Sequence, residues 1–233
     1  MVNSLVAAPP TSWEWIWDHR GDIGHLFVQH VQLTVIAVGI GLAISVPLSI
    51  LAYRIGGTYG PITWFTGWLY TIPSLALFAI FTPITGLSIL TAEIGLVSYT
   101  LLILVRNIVV GLRTVPEDVK EAASGMGYTP RQLLWRVELP LAVPAIAAGI
   151  RVATVSTIGL ITVAALIGKG GLGQLIVEGL RILYPTEILT GALASLLFAL
   201  AADALLLWTE RALTPWTRVR VRAFVPPRPT GSR

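Results

Sequence analysis

The sequence predicts an all-α membrane protein of about five transmembrane helices, and three observations carry that prediction. The 233 residues are 55% hydrophobic and only 12% charged, far more apolar than a soluble domain of this size requires. Five stretches, residues 31–53, 62–81, 88–105, 141–167 and 188–208, reach the roughly twenty apolar residues that cross a bilayer as a helix. Basic residues are distributed unevenly between the stretches. One side receives Arg54, then Arg106, Arg113, Lys120, Arg131 and Arg136, then Arg211, Arg218, Arg220, Arg222, Arg228 and Arg233, while the other has Arg20, Lys169 and Arg181. The positive-inside rule therefore puts the N-terminus outside and the C-terminus in the cytoplasm.

The elements are taken in chain order. Residues 1–25 form an N-terminal tail, without the basic start, apolar run and small-residue cleavage site of a signal peptide. Its Trp13, Trp15 and Trp17, beside Glu14 and Asp18, suit either the headgroup layer or packing on the bundle. Span two carries Pro73 at its middle, where the missing amide and the ring clash predict a kink. Spans three, four and five each hold an ionisable residue, Glu93, Arg151 and Asp203. Glu93 and Asp203 lie near span ends and within reach of water, whereas Arg151 is about 15 Å past Pro140 along an ideal helix, which predicts a structural partner. The tail 211–233 is basic, and its 225–229 segment is too proline-rich for a helix.

Between spans three and four, residues 111–140 are too charged for lipid. Thr114 and Glu117 have the spacing of a capping box, and Thr129 and Gln132 repeat it. Gly125 and Gly127, between these two starts, tolerate the positive φ of a helix end. The segment reads as helix, turn, helix, stopped near Pro140. Glu121-Ala122-Ala123 offers a carboxylate for orientation beside two side chains small enough for another protein to approach the backbone.

The order Glu121-Ala122-Ala123, three residues, Gly127, nine residues, Val137, one residue, Leu139-Pro140 resembles the EAA loop of ABC importer permeases, with Val137 where the pattern has Ile. The resemblance extends over roughly residues 26–207 through Ile72-Pro73-Ser74-Leu75-Ala76-Leu77, Val105-Arg106-Asn107, Gly111-Leu112-Arg113, Gly149-Ile150-Arg151 and Gly168-Lys169-Gly170-Gly171-Leu172-Gly173. Together these motifs are similar to those of the osmoprotectant, or quaternary-amine, branch. The resemblance implies a type I importer permease fold over residues 26–210 in the cell membrane. It implies import of glycine betaine, choline or carnitine, and three partners: a cytoplasmic ATPase docked on Glu121, Ala122, Ala123, Gly125, Gly127, Leu139 and Pro140, a second permease copy or paralogue, and an extracytoplasmic binding protein. No stretch of this chain is long enough to be a fused binding domain. An importer of amino acids or methionine is the alternative cargo reading. A secondary transporter or channel would show paired broken spans in inverted repeats, which the sequence lacks; a membrane scaffold without transport is a further rival.

Other chemistry is excluded or weak. There is no cysteine, and His19, His25 and His30 have no metal-ligand spacing. No Gly-x-x-x-x-Gly-Lys-[Ser/Thr] phosphate loop occurs, so ATP and its magnesium are expected on a partner. Nucleic acid is not an expected partner; membrane lipid is. Gly168 to Gly173 fits the G-x-G-x-x-G pattern but comes after a membrane span, where a nucleotide-binding turn comes after a strand. Those glycines, Gly168, Gly170, Gly171 and Gly173, are expected either to form a gate or merely to turn the chain into a short interfacial helix over 172–183, with Glu178 and Arg181 wet. For the path itself the candidates are Pro73, Ser74, Ser156 and Thr157, with Thr154 adding a further hydroxyl. Tyr70 and Tyr99 present ring faces that a quaternary ammonium would favour, or else anchor the interface.

Overall fold

A computed structural model describes residues 12–216, and every described regular element is helical. The helices are α1 Trp13–Asp18, α2 Arg20–Arg54, α3 Tyr59–Thr71, α4 Ser74–Thr85, α5 Ile89–Arg113, α6 Glu117–Gly125, α7 Pro130–Leu133, α8 Leu139–Ala164, α9 Gly173–Ile182 and α10 Pro185–Leu213. The arginines from Arg218 onward and the 225–229 segment lie outside the described residues.

Four of these stretches are long and apolar enough to cross a membrane: α2, α5, α10 and a continuous helix from Pro130 to Ile167 that contains α8. α3 and α4 together make a fifth only if counted as one broken span, because they meet at 91°. The expectation of a kinked second span is therefore corrected to a corner. Proline at position 73 has φ −55° and ψ 134°, and Ile72 before it is also extended. A residue preceding proline is pushed out of the helical region, so the chain breaks where a milder kink was expected. At the corner the Tyr99 hydroxyl on α5 donates to the Ile72 carbonyl, and the Pro73 carbonyl accepts from the Leu77 amide.

α5 is the axis of the bundle. It is the most buried of the spans, and it packs between α2 and α8, with α3 and α4 along its flank and α10 beyond α8. Close approach rests on small residues, as expected where lipid competes equally for apolar side chains. A Cβ on Gly41 of α2 would collide with Thr100 Oγ1 on α5, and one on Gly149 of α8 would collide with Asn107 Cβ. Two of the sequence motifs, Val105-Arg106-Asn107 and Gly149-Ile150-Arg151, thus meet across the α5–α8 contact.

The two ends of the bundle differ. At one, Arg54 of α2 donates to the Pro130 carbonyl and the Arg113 guanidinium stacks 4.4 Å above Tyr59. At the other, Gln174 of α9 donates to Gln29 at 3.1 Å and Trp15 packs edge-on against Tyr184 at 5.7 Å. Trp13 and Trp17 stay exposed, so packing on the bundle accounts for Trp15 and not for these two. The basic hairpin and the glycine-rich turn occupy opposite ends.

Three sequence expectations about ionisable residues have different outcomes. Arg151 has its structural partner: its guanidinium grips Asp203 through Nε and Nη2, both at 3.0 Å, and reaches Glu210 at 3.3 Å. Asp203 and Glu210 are two helical turns apart on one face of α10, which a search for i, i+7 acids would have found. Glu93 is a correction. It is 6% exposed and both carboxyl oxygens are unpartnered among the described residues, because α5 runs through the bundle's centre and its outer end is covered. His30 is buried in packing, with Nε2 against the Ile158 carbonyl at 3.1 Å.

Candidate functional site: a docking hairpin and a proline corner

The charged segment folds as a hairpin on the end of the bundle. α6 starts after Pro116, whose fixed φ suits a helix entry and whose backbone precedes an acidic first turn, Glu117 and Asp118. The Thr114–Glu117 capping box does not form: Thr114 Oγ1 turns back to the Gly111 carbonyl at 2.8 Å, closing α5. The second box does form. Thr129 Oγ1 accepts from the Gln132 amide at 3.3 Å, and Gln132 Oε1 accepts from the Thr129 amide at 2.9 Å.

Between them the chain reverses at Gly127, with φ +87°. Gly125 is still helical and needs no glycine conformation, so only one of the two expected turn glycines has that reason to exist. The EAA residues also divide. Glu121 and Ala122 are exposed, whereas Ala123 is buried, 3% exposed. The 100° step between successive helical residues turns Ala123 toward the bundle and leaves Glu121, Ala122 and, one turn on, Met126 facing out. Glu121 makes no hydrogen bond or ion pair among the described residues, and Met126 and Trp135 are 72% and 57% exposed. The outward face of α6 thus combines an uncommitted carboxylate, a bare methyl group and the Met126 side chain that follows it.

Pro140 does not stop the hairpin. The helix runs on through a five-residue π-turn, Leu134–Glu138, into α8, with Pro140 in the first turn of α8. A proline clashes with the carbonyl four residues back, here Arg136, and lacks the amide that would bond it. The wider π-turn, in which Leu139 N–H bonds Leu134 O, makes room for the ring, so the expected break becomes a continuous 38-residue helix. Leu134 is buried with Leu112, Leu104 and Ala142, which seats the hairpin's base on the core.

The candidate path residues fall in separate places. Tyr70, Pro73, Ser74 and Tyr99 gather at the α3–α4 corner, the two rings 5.3 Å apart and tilted by 57°. Tyr99 is nearly buried and its hydroxyl holds the corner; Tyr70 is 41% exposed. Ser156 instead lines a groove of about 480 Å³ between α8 and α10 with Arg151 and Asp203, and Thr157 is buried in the core at 1% exposure. The structure does not unite Ser156 and Thr157 with the corner.

The glycine-rich turn is tightly packed. Gly168 and Gly171 have φ +74° and +49°. An added Cβ on Gly170 would collide with the Ala165 nitrogen, and those on Gly171 and Gly173 would sit 2.7 Å from His30 Cβ and 2.5 Å from Thr162 Cα. Each contact is with backbone or with a rigid first side-chain atom. Beyond the turn, α9 is amphipathic, with Leu175 buried and Glu178 and Arg181 exposed, as the sequence pattern predicted for this segment.

Comparison with known proteins adds an independent line. Residues 36–219 match the family described as binding-protein-dependent transport system inner membrane component. The chain is 36% identical over 202 residues to the choline transport system permease protein OpuBB of Bacillus subtilis, covering 87% of this chain and 93% of that one. It is 37% identical over 206 residues to the osmoprotectant import permease protein OsmW of Salmonella typhimurium, covering 86% and 96%. A shorter match, 45% identical over 135 residues, is to the ergothioneine transport permease/ergothioneine binding protein EgtU of Helicobacter pylori, 58% of this chain and 24% of that protein. In fold the chain is similar to the inward-facing MetNI methionine ABC transporter, with a TM-score of 0.76 at 21% identity over 87% of this chain and 99% of that one.

Proposed function

We infer from its sequence and geometry that this chain, which belongs to the family of binding-protein-dependent transport system inner membrane components, is the permease subunit of an ATP-driven importer whose cargo is a quaternary amine such as glycine betaine, choline or carnitine. The observation that carries the cargo class is the set of relatives at 35–37% identity over nearly their whole length, named for choline, glycine betaine, carnitine and osmoprotectant transport. Ergothioneine is itself a trimethylammonium betaine, so the shorter match widens that class without leaving it.

The division of labour rests on the chain's own contents. It has no phosphate loop, and ATP with its magnesium binds on a partner ATPase that grips the outward face of the hairpin, Glu121, Ala122 and Met126 around the Gly127 turn. One chain supplies only part of a pore, so a second copy or a paralogue completes it, and a binding protein delivers cargo at the glycine-turn end. Residues 26–210 are the permease domain, N-terminus outside, C-terminus cytoplasmic, in the cell membrane. The α3–α4 corner is the chain's candidate gate: its backbone is broken, and Tyr70 presents an accessible ring to a cation.

Reconstitution tests the reading. Proteoliposomes holding this chain with its ATPase and binding protein should take up radiolabelled glycine betaine, choline or carnitine only when ATP is present, with unlabelled ergothioneine as a competitor. Uptake without ATP would point to a secondary transporter or channel, and ATP-driven uptake of methionine alone would refute the quaternary-amine assignment.

A further inference from the structure

We propose that Tyr53 and Arg54, the last two residues of α2, are positioning residues of the docking hairpin, strapping its base to α2 so that nucleotide-driven movement of the hairpin carries α2 with it. The proposal rests on the reading of that hairpin as the ATPase-docking element. By chain continuity the hairpin is joined only to α5, ahead of it, and to α8, behind it. Its link to α2 is made by side chains alone.

Three separate parts of the hairpin converge on these two neighbouring residues. Tyr53 Oη donates to Glu138 Oε1 at 2.7 Å, across 85 residues of sequence. Arg54 Nη2 donates to the carbonyl of Pro130, the first residue of α7, across 76 residues. Lys120 of α6 lies with its ammonium 5.9 Å from the centre of the Tyr53 ring while pairing with Glu117 at 3.0 Å. Below them the Tyr53 ring and Ile50 pack against the buried cluster that holds Leu134 and Leu112.

Glu138 gives the arrangement its directionality. It is 4% exposed, it ends the π-turn, and a carboxylate so placed requires a donor. The extra residue in a π-turn advances the phase of the downstream helix by about 100° relative to an uninterrupted α-helix. A regular helix through residues 134–138 would therefore turn Glu138 away from α2. The same π-turn that admits Pro140 also delivers the acceptor to Tyr53, and π-turns inside long helices are frequent at functional sites. A phenylalanine at position 53 would fill the same volume and leave the carboxylate unmet, so packing alone does not explain a hydroxyl there.

The test uses the complete transporter, this chain with its ATPase and binding protein in proteoliposomes, and compares wild type with Tyr53→Phe, Arg54→Met and Glu138→Gln. The ATPase should co-purify with all four. In Tyr53→Phe the uptake of radiolabelled glycine betaine or choline per ATP hydrolysed should fall about tenfold, the scale of one hydrogen bond to a charged group. Glu138→Gln, whose amide oxygen still accepts, should retain most of the wild-type ratio. A second readout is independent of cargo: hydrogen exchange of the α2 amides at residues 50–54 should change on vanadate trapping of the ATPase in wild type and not in Tyr53→Phe. If Tyr53→Phe fails to assemble, Arg54→Met, which leaves the buried pair intact, should give the same loss of coupling. An unchanged coupling ratio with an unchanged exchange response would overturn the strap. Failure of the wild-type chain to hold the ATPase at all would instead overturn the docking reading beneath it.

Discussion

Two glycines, two residues apart, should respond oppositely to the same substitution. Gly125 closes α6 in a helical conformation and Gly127 turns the chain at φ +87°. A Cβ at either position meets nothing within 4 Å, so steric crowding is absent from both and only the backbone distinguishes them. Alanine at 125 removes a glycine from a helix and should stabilise α6 by about 0.5–1 kcal/mol. Alanine at 127 must occupy a left-handed conformation that costs a side-chain-bearing residue about 1–2 kcal/mol. At roughly 1.4 kcal/mol per factor of ten, that lowers the equilibrium constant for forming the hairpin about 5- to 30-fold, and ATPase affinity falls by up to that factor. Asparagine, more tolerant of this region, should fall between glycine and alanine. Titration of the purified permease with its ATPase gives the affinities, and thermal unfolding in detergent checks that the spans are untouched. Equal weakening by Gly125→Ala and Gly127→Ala, or wild-type affinity for Gly127→Ala, would refute the argument.

The remaining predictions concern orientation, the corner and the ion cluster. In this cysteine-free chain, Ser124→Cys should label only from the cytoplasm and Glu178→Cys, at an exposed position on α9, only from outside, and the reverse pattern would invert the topology. Pro73→Ala relieves the restriction on Ile72, and Tyr99→Phe removes the hydroxyl from its carbonyl at a cost of roughly 0.5–1.5 kcal/mol; both should alter uptake kinetics while the ATPase still co-purifies, and unchanged kinetics in the pair would reduce the corner to packing. Asp203→Leu leaves Arg151 with Glu210 alone and should destabilise by about 1–2 kcal/mol, less than a fully buried pair because the side chains are 24% and 38% exposed. Adding Arg151→Met should recover part of that loss in a double-mutant cycle of thermal stability; a strictly additive cycle would show the two residues to be uncoupled.

How much of this was legible in the sequence depended on whether the cause was local. The spans, the Thr129 capping box and the amphipathic α9 rest on neighbours within a few residues, and pattern sufficed for them. Thr114 shows where local pattern fails: it has a correct box spacing, yet its hydroxyl found an equally local partner in the Gly111 carbonyl, and two such bonds compete on nearly equal terms. A proline alone does not announce a break: at Pro73 the chain turns by 91°, at Pro140 the helix continues through a π-turn, and Pro47 and Pro144 sit inside helices that also continue. Glu93 and Ala123 were misplaced because burial depends on which element covers a face, and single-chain hydropathy carries no such information. The ion cluster and the Tyr53–Glu138 contact were hidden for a related reason: their partners stand 52 and 85 residues apart.

A lone guanidinium at membrane depth would repel a quaternary ammonium. With Asp203 and Glu210 both within 3.3 Å of the guanidinium, one positive group faces two negative ones, and the formal sum is −1. Short-range pairing of this kind cancels most of the arginine's field a few ångströms away, so the α8–α10 contact presents no barrier to a cation. The consequence is testable in the same cycle: Asp203→Leu leaves Arg151 with Glu210 alone, moves the formal sum from −1 to 0 and should slow uptake of choline more than uptake of zwitterionic glycine betaine, whereas Arg151→Met/Asp203→Leu returns the sum to −1 and should restore the wild-type ratio of the two. Equal slowing of both cargoes by Asp203→Leu would mean that the cluster's effect on transport is mechanical and owes nothing to its charge.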